Sequence, residues 1–149
     1  MKIIRILTHY LGNFLRFLLL TKLRMSGVVI GKNTMISMGA KIDTHRGKVT
    51  IGDNCLITSG VFILSHDGAS RMIDMDDLGN GEVVIGNNVF IGVNSVILKN
   101  VKIGDNSVIG AGSVINKDIP PCSVVVGNPG RVIKTLEGPF PILNDHKTH

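Results

Sequence analysis

The sequence predicts an all-β chain wound as a parallel β-helix of triangular section, and three observations carry that expectation. Reading every sixth residue from Ile85 gives Ile85, Ile91, Ile97, Ile103, Ile109 and Ile115, an isoleucine at each step. The residue after each is Gly86, Gly92, Leu98, Gly104, Gly110 or Asn116, mostly glycine. Four positions beyond each isoleucine stand Val89, Ser95, Val101, Ser107, Ser113 and Ile119, mostly small or β-branched. A six-residue period fits neither an amphipathic helix nor an alternating strand. It is an internal repeat, and such repeats stack into solenoids.

Composition agrees. With 149 residues the chain is one domain, large enough to bury a core. Its 18 glycines and lack of tryptophan suit a narrow interior of isoleucine, valine and small residues. The formal charge of +5 admits an anionic partner: a phosphorylated cofactor, a membrane surface or a nucleic acid. There is no aromatic interleaving, zinc-knuckle spacing or recognition-helix pattern, so nucleic acid ranks last. Cys55 and Cys122 form no CxxC motif and read as reduced, buried thiols of a cytoplasmic protein.

Residues 1–27 form a separate segment. Ile3, Ile6, Leu7, Tyr10, Leu11, Phe14, Leu15, Leu18 and Leu19 fall at helical spacing, flanked by Lys2, Arg5, Arg16, Lys22 and Arg24. The uncharged run from Ile6 to Leu15 is about ten residues, short of the ~20 that span a bilayer. Arg16 interrupts the apolar stretch and no cleavage site follows, which argues against a signal peptide. Two readings stay open. The helix packs on the end or flank of the solenoid, covering strand edges, or it lies on an anionic membrane surface.

The repeat domain spans 28–135. Ile30-Gly31, Ile36 and Ile42-Asp43 keep the six-residue step, with Thr34 and Ala40 inward. The segment from Thr44 to Lys48 breaks it as a bulge or surface loop, and Ile51, Ile57 and Ile63 resume it with Cys55 and Val61 inward. About four coils follow, opening at Ile30, Ile51, Ile85 and Ile103. Asn33, Asn54, Asn88 and Asn106 stand three residues after these isoleucines, where asparagine best tolerates a left-handed backbone. The general rule for parallel crossovers predicts right-handed coils.

After Leu64 the period stops. The polar stretch SHDGASRMIDMDDLGNGE precedes the unbroken run to Ile115, and long loops within compact domains carry function or are disordered. Asp118-Ile119-Pro120-Pro121 ends the run, and residues 123–130 read as a last strand and turn. A short basic tail with Arg131 and Lys134 follows, ahead of the Pro-rich C-terminal tail at 136–149.

Two segments, IGDNCLITSGVFILSHDG (51–68) and IGNNVFIGVNSVILKNVKIGDNSVIGAGSVINKDIPPCSVVVGNPGRVIK (85–134), closely resemble the hexapeptide-repeat acyltransferases. The nearest likeness is to bacterial polysaccharide and sugar O-acetyltransferases, including those acting on galactosides and maltose. The resemblance implies a left-handed winding, against the crossover rule. It also implies a homotrimer with active sites between subunits, and acetyl-CoA as co-substrate to a saccharide acceptor.

Removing a proton from an attacking hydroxyl needs a base near neutrality, which suits histidine. The resemblance places that base at His66, where the coil breaks into the long loop. Asp67 is either its orienting carboxylate or half of an ordinary Asp67-Gly68 turn. No covalent nucleophile is needed: Ser65 and Cys55 have no partnered base in the sequence, so direct transfer in a ternary complex is expected. The resemblance further implies that Gly92, Val93, Ala111 and Gly112 line the pantetheine arm of acetyl-CoA. It matches Lys117, Arg131 and Lys134 to contacts with the coenzyme's phosphates.

No metal is expected. Asp74-Met75-Asp76-Asp77 lacks the calcium-loop pattern. The γ-type carbonic anhydrases share the β-helix but need three histidines. Here His9 lies in the helical segment and His146 and His149 in the tail, leaving His45 and His66 alone. The alternatives are N-acetylation of an amino sugar, acetylation of serine or a xenobiotic, and a non-catalytic trimeric scaffold. Residues 1–27 are too short for the nucleotide-binding domain of a nucleotide-sugar N-acetyltransferase. The expected location is the cytoplasm, with peripheral contact at the inner membrane face if the 2–25 helix is interfacial.

Overall fold

The computed structural model describes residues 2–138, with side chains from residue 8 onward except residue 9. Most of the 136–149 tail, with His146 and His149, lies outside the described residues, as do the side chains of residues 2–7 and His9.

Helix α1 (Lys2–Met25) comes first, and short strands then recur in threes. They are β1 (Val29–Ile30), β2 (Met35–Ile36) and β3 (Lys41–Ile42), then β4 (Lys48–Ile51), β5 (Leu56–Ile57) and β6 (Phe62–Ile63). A loop holding the single-turn α2 (Ser70–Ile73) intervenes before β7 (Glu82–Ile85), β8 (Phe90–Ile91) and β9 (Val96–Ile97). The run closes with β10 (Val101–Ile103), β11 (Val108–Ile109), β12 (Val114–Ile115), β13 (Ser123–Val126) and β14 (Arg131–Thr135).

The six-residue step sends successive strands to three sheets, ordered β1-β4-β7-β10, β2-β5-β8-β11-β13-β14 and β3-β6-β9-β12. All pairs are parallel except β13 with β14. Register stacks isoleucine on isoleucine: Ile30, Ile51, Ile85 and Ile103 in one sheet, Ile42, Ile63, Ile97 and Ile115 in another. The second sheet stacks Ile36, Ile57, Ile91 and Ile109, ending on Val125. All but Ile42 are buried, and burying each such side chain stabilises by roughly 1.5–3 kcal/mol. Val89, Ser95, Val101, Ser107, Ser113 and Ile119 are buried beside them.

The corners explain the asparagines and one glycine. Asn33, Asn54, Asn88 and Asn106 adopt φ of 54°, 55°, 55° and 56°, the left-handed region their sequence positions predict. At Gly52 a Cβ would sit 2.5 Å from Asn87 Oδ1 and 2.6 Å from the Gly86 carbonyl oxygen, so stacked corners leave no room for a side chain.

Helix α1 ends in a Schellman cap. Val28 N–H donates to Leu23 O at 3.1 Å and Gly27 N–H to Arg24 O at 3.0 Å, with Gly27 at φ 91°. Leu23 and Val28 are buried, and Leu19 and Leu20 pack against the core, so the helix covers the start of the solenoid.

Two expectations change. The basic stretch after Gly130 is the antiparallel strand β14 rather than a tail, with Val126 opposite Arg131 and Val124 opposite Lys134. Cys122 is half-buried and occupies a left-handed corner (φ 56°), where the following turn replaces asparagine, so it is no core thiol. Cys55 is buried as expected, and its Sγ–H donates to the Gly86 carbonyl at 3.0 Å.

A candidate active site at the break in the repeat

The loop opens one residue beyond the stack. Leu64 N–H still donates to Ile97 O at 2.9 Å, and Ser65 is buried. His66 then pairs with Asn80 in an antiparallel bridge, flanked by Asp67 N–H to Gly79 O (3.0 Å) and Gly81 N–H to Ser65 O (2.8 Å). The loop is therefore tied at its neck, and the His66 backbone is fixed although its side chain is 36% exposed.

The carboxylate facing His66 is Asp43. Because Ile42 of β3 is paired with Ile63 of β6, the residue after Ile42 is carried beneath the start of the loop. There Asp43 Oδ2 accepts a hydrogen bond from His66 Nδ1. The same oxygen accepts from Ser65 Oγ at 2.9 Å and Ser65 N–H at 3.2 Å, while Oδ1 accepts from His45 N–H at 3.0 Å. Burial alone would push the Asp43 carboxyl up, but donation from the His45 amide, His66 and Ser65 outweighs it and holds the group at about 2. A neutral imidazole that donates from Nδ1 to ionised Asp43 has its Nε2 lone pair free. Ser65, fully buried and donating to Asp43, is in no position to attack a substrate.

Asp67 is not the orienting group. Its Oδ2 pairs with Lys99 Nζ at 2.9 Å and its Oδ1 accepts from Ser70 N–H at 2.8 Å. Lys99 first, then the Ser70 amide, hold its carboxyl down at about 2. Lys99 also donates to Ser70 Oγ and to the Gly79 carbonyl at 3.4 Å, so one lysine fastens both ends of the loop. Sequence reasoning missed Asp43 and Lys99. The available signal for Asp43 was a carboxylate following Ile42, where Ile30, Ile51, Ile85 and Ile103 are followed by glycine.

The four residues expected along the pantetheine arm come together at one corner of adjacent turns. Gly92 N–H donates to Ile109 O and Gly112 N–H to Val93 O, both at 2.8 Å. A Cβ on Gly92 would lie 2.6 Å from Ala111 N, whereas one on Gly112 would meet open space, so Gly112 leaves the outer surface bare. Val93, Ala111 and Gly112 are exposed. Arg131 and Lys134 share exposed β14, while Lys117 lies separately, beyond the end of β12. Among the described residues no cluster of three or more His, Cys, Asp or Glu is placed to hold a metal ion.

Comparison with known proteins finds relatives of the chain in sequence and in fold. The family model described as bacterial transferase hexapeptide (six repeats) matches residues 82–117, and that for the hexapeptide repeat of succinyl-transferase matches 48–65. Protein CapG of Staphylococcus aureus is 39% identical over 138 residues, which is 90% of this chain and 70% of CapG. The hexapeptide-repeat-containing acetyltransferase VCA0836 from Vibrio cholerae superposes with TM-score 0.66 at 34% identity, covering 75% of this chain and 64% of that one. The chain thus spans less than two thirds of that protein's length. VCA0836 has also been solved with acetyl coenzyme A. A maltose O-acetyltransferase from Clostridium difficile 630 matches with TM-score 0.58 and 36% identity over 78% of this chain and 73% of its own.

Proposed function

Because the chain belongs to the hexapeptide-repeat transferase family, we propose that it is an acetyl-CoA-dependent O-acetyltransferase acting on a saccharide hydroxyl. The observation that carries the reading is the Asp43–His66 pair at the single large break in the coil. His66 Nε2 takes the proton of the acceptor hydroxyl as its oxygen attacks the thioester carbonyl. The tetrahedral intermediate collapses, the C–S bond breaks, and His66 returns the proton to the departing thiolate. Asp43 fixes the tautomer and offsets the positive charge of the imidazolium. Both substrates are bound together, and no acyl-enzyme forms.

In this reading the sheets close as a left-handed solenoid of about four coils, and three copies assemble with a site in each cleft. Acetyl-CoA lies along Gly92, Val93, Ala111 and Gly112. Exposed cations Lys117, Arg131 and Lys134 suit the coenzyme's phosphates. The loop from Asp67 to Gly81 borders the acceptor. The likeness to a maltose O-acetyltransferase supports a sugar hydroxyl as acceptor.

Turnover of a His66→Ala variant, measured with a panel of sugars, lipid-linked sugars, amino sugars and serine, tests this. A loss of about 10²–10⁴-fold in kcat, with acetyl-CoA affinity by calorimetry preserved, is expected. Unchanged kcat would remove His66 from the mechanism, and no transfer by the wild type to any acceptor would favour a scaffold.

A further inference from the structure

The outer face of helix α1 is unusual for a helix docked on a domain. With about 100° between successive residues, Leu19, Leu20 and Leu23 face the solenoid, and Leu11, Phe14, Phe17 and Leu18 fall on other sides. The packing agrees: Leu23 is buried, whereas Phe14 is 58% and Phe17 63% exposed, with Leu11, Leu18 and Met25 exposed beside them. This is a contiguous apolar face with two phenylalanines turned to solvent, on a helix already anchored by its other side.

Charge identifies what covers it. Residues 2–25 contain Lys2, Arg5, Arg16, Lys22 and Arg24 and no aspartate or glutamate. The whole chain has 16 basic and 11 acidic residues, so outside this helix the balance is 11 against 11. All of the formal +5 therefore resides in α1. Two copies of such a helix laid face to face would bring cations together with no carboxylate on either helix to offset them. No helix among the described residues is long and apolar enough to cross a membrane.

We propose that the exposed face of α1 docks on an anionic lipid bilayer, lying in the interface rather than spanning it. Phe14, Phe17, Leu11 and Leu18 enter the headgroup–acyl boundary while Lys22 and its basic neighbours meet anionic headgroups. The inner leucines keep the solenoid attached, so the site is held at the membrane surface.

Co-sedimentation of the full chain with phosphatidylglycerol-containing and pure phosphatidylcholine vesicles tests the proposal, beside the native mass of each variant in solution. Binding to anionic vesicles that weakens with salt is expected, at least about tenfold tighter than to neutral ones. Phe14→Ser combined with Phe17→Ser should lower partitioning by at least about tenfold. Lys22→Gln should lower it about fivefold. Both changes are on exposed side chains, and circular dichroism should be unaltered. Three results would overturn the proposal: no partitioning of the wild type, equal partitioning to both vesicles, or a phenylalanine pair that leaves partitioning intact. A variant whose native mass falls would assign the face to a second copy of the chain instead.

Discussion

A carboxylate side chain only 8% exposed is costly unless donors surround it, and Asp43 has His66, Ser65 and the His45 amide. That arrangement has a pH signature. The carboxyl is held at about 2 in the fold against an ordinary 3.8, so the native state favours the ionised form. The corresponding stability, about 2 kcal/mol, is complete above about pH 4 and is lost as the pH falls through about 2. Urea unfolding of wild type and Asp43→Asn should show a gap that narrows as the pH is lowered from about 5 to about 2; a gap constant over that range would mean that the carboxylate is not held as described. His66 is named from the sequence through the family resemblance, at the point where the period fails. Asp43, 23 residues earlier, is not, since only the pairing of Ile42 with Ile63 brings the two together.

The loop between β6 and β7 behaves as an element with its own fastening. Its extent is legible from the missing isoleucines, but its interior is not, because the anchor, Lys99, lies after β9 on another turn of the chain. Lys99 is largely buried and reaches Asp67, Ser70 and Gly79, spanning the neck beside His66. Lys99→Met keeps an unbranched side chain of nearly the same length and removes the ammonium group that makes all three contacts. The Asp67 carboxyl should then rise from about 2 toward the ordinary carboxylate range. Exposed Arg71 on α2 gives a direct readout: limited trypsin cleavage there should quicken several-fold in the variant. If the loop borders the acceptor, the acceptor KM should rise while the acetyl-CoA KM stays the same. Unaltered cleavage at Arg71 would show that the bridge from His66 to Asn80 holds the loop unaided.

At the scale of the whole molecule, the six-residue period is legible because inward side chains recur with the strands and every isoleucine stacks on its counterpart. Handedness is not, since either winding would bury the same positions. Stacking also makes the fold quasi-one-dimensional, each turn touching chiefly its neighbours. Position along the stack should therefore set what a deletion costs. Ile97 is fully buried in β9, between β6 and β12, whereas half-buried Ile42 lies in β3 at the edge of the same sheet. Ile97→Ala opens a cavity closed on both sides by ordered strands and should cost about 2–5 kcal/mol. Ile42→Ala removes the same atoms where only one neighbouring strand is present, and should cost less than half as much. Urea midpoints measured at one protein concentration decide it. Equal losses would mean that the stack unfolds and relaxes as a block, its ends as tightly coupled as its middle.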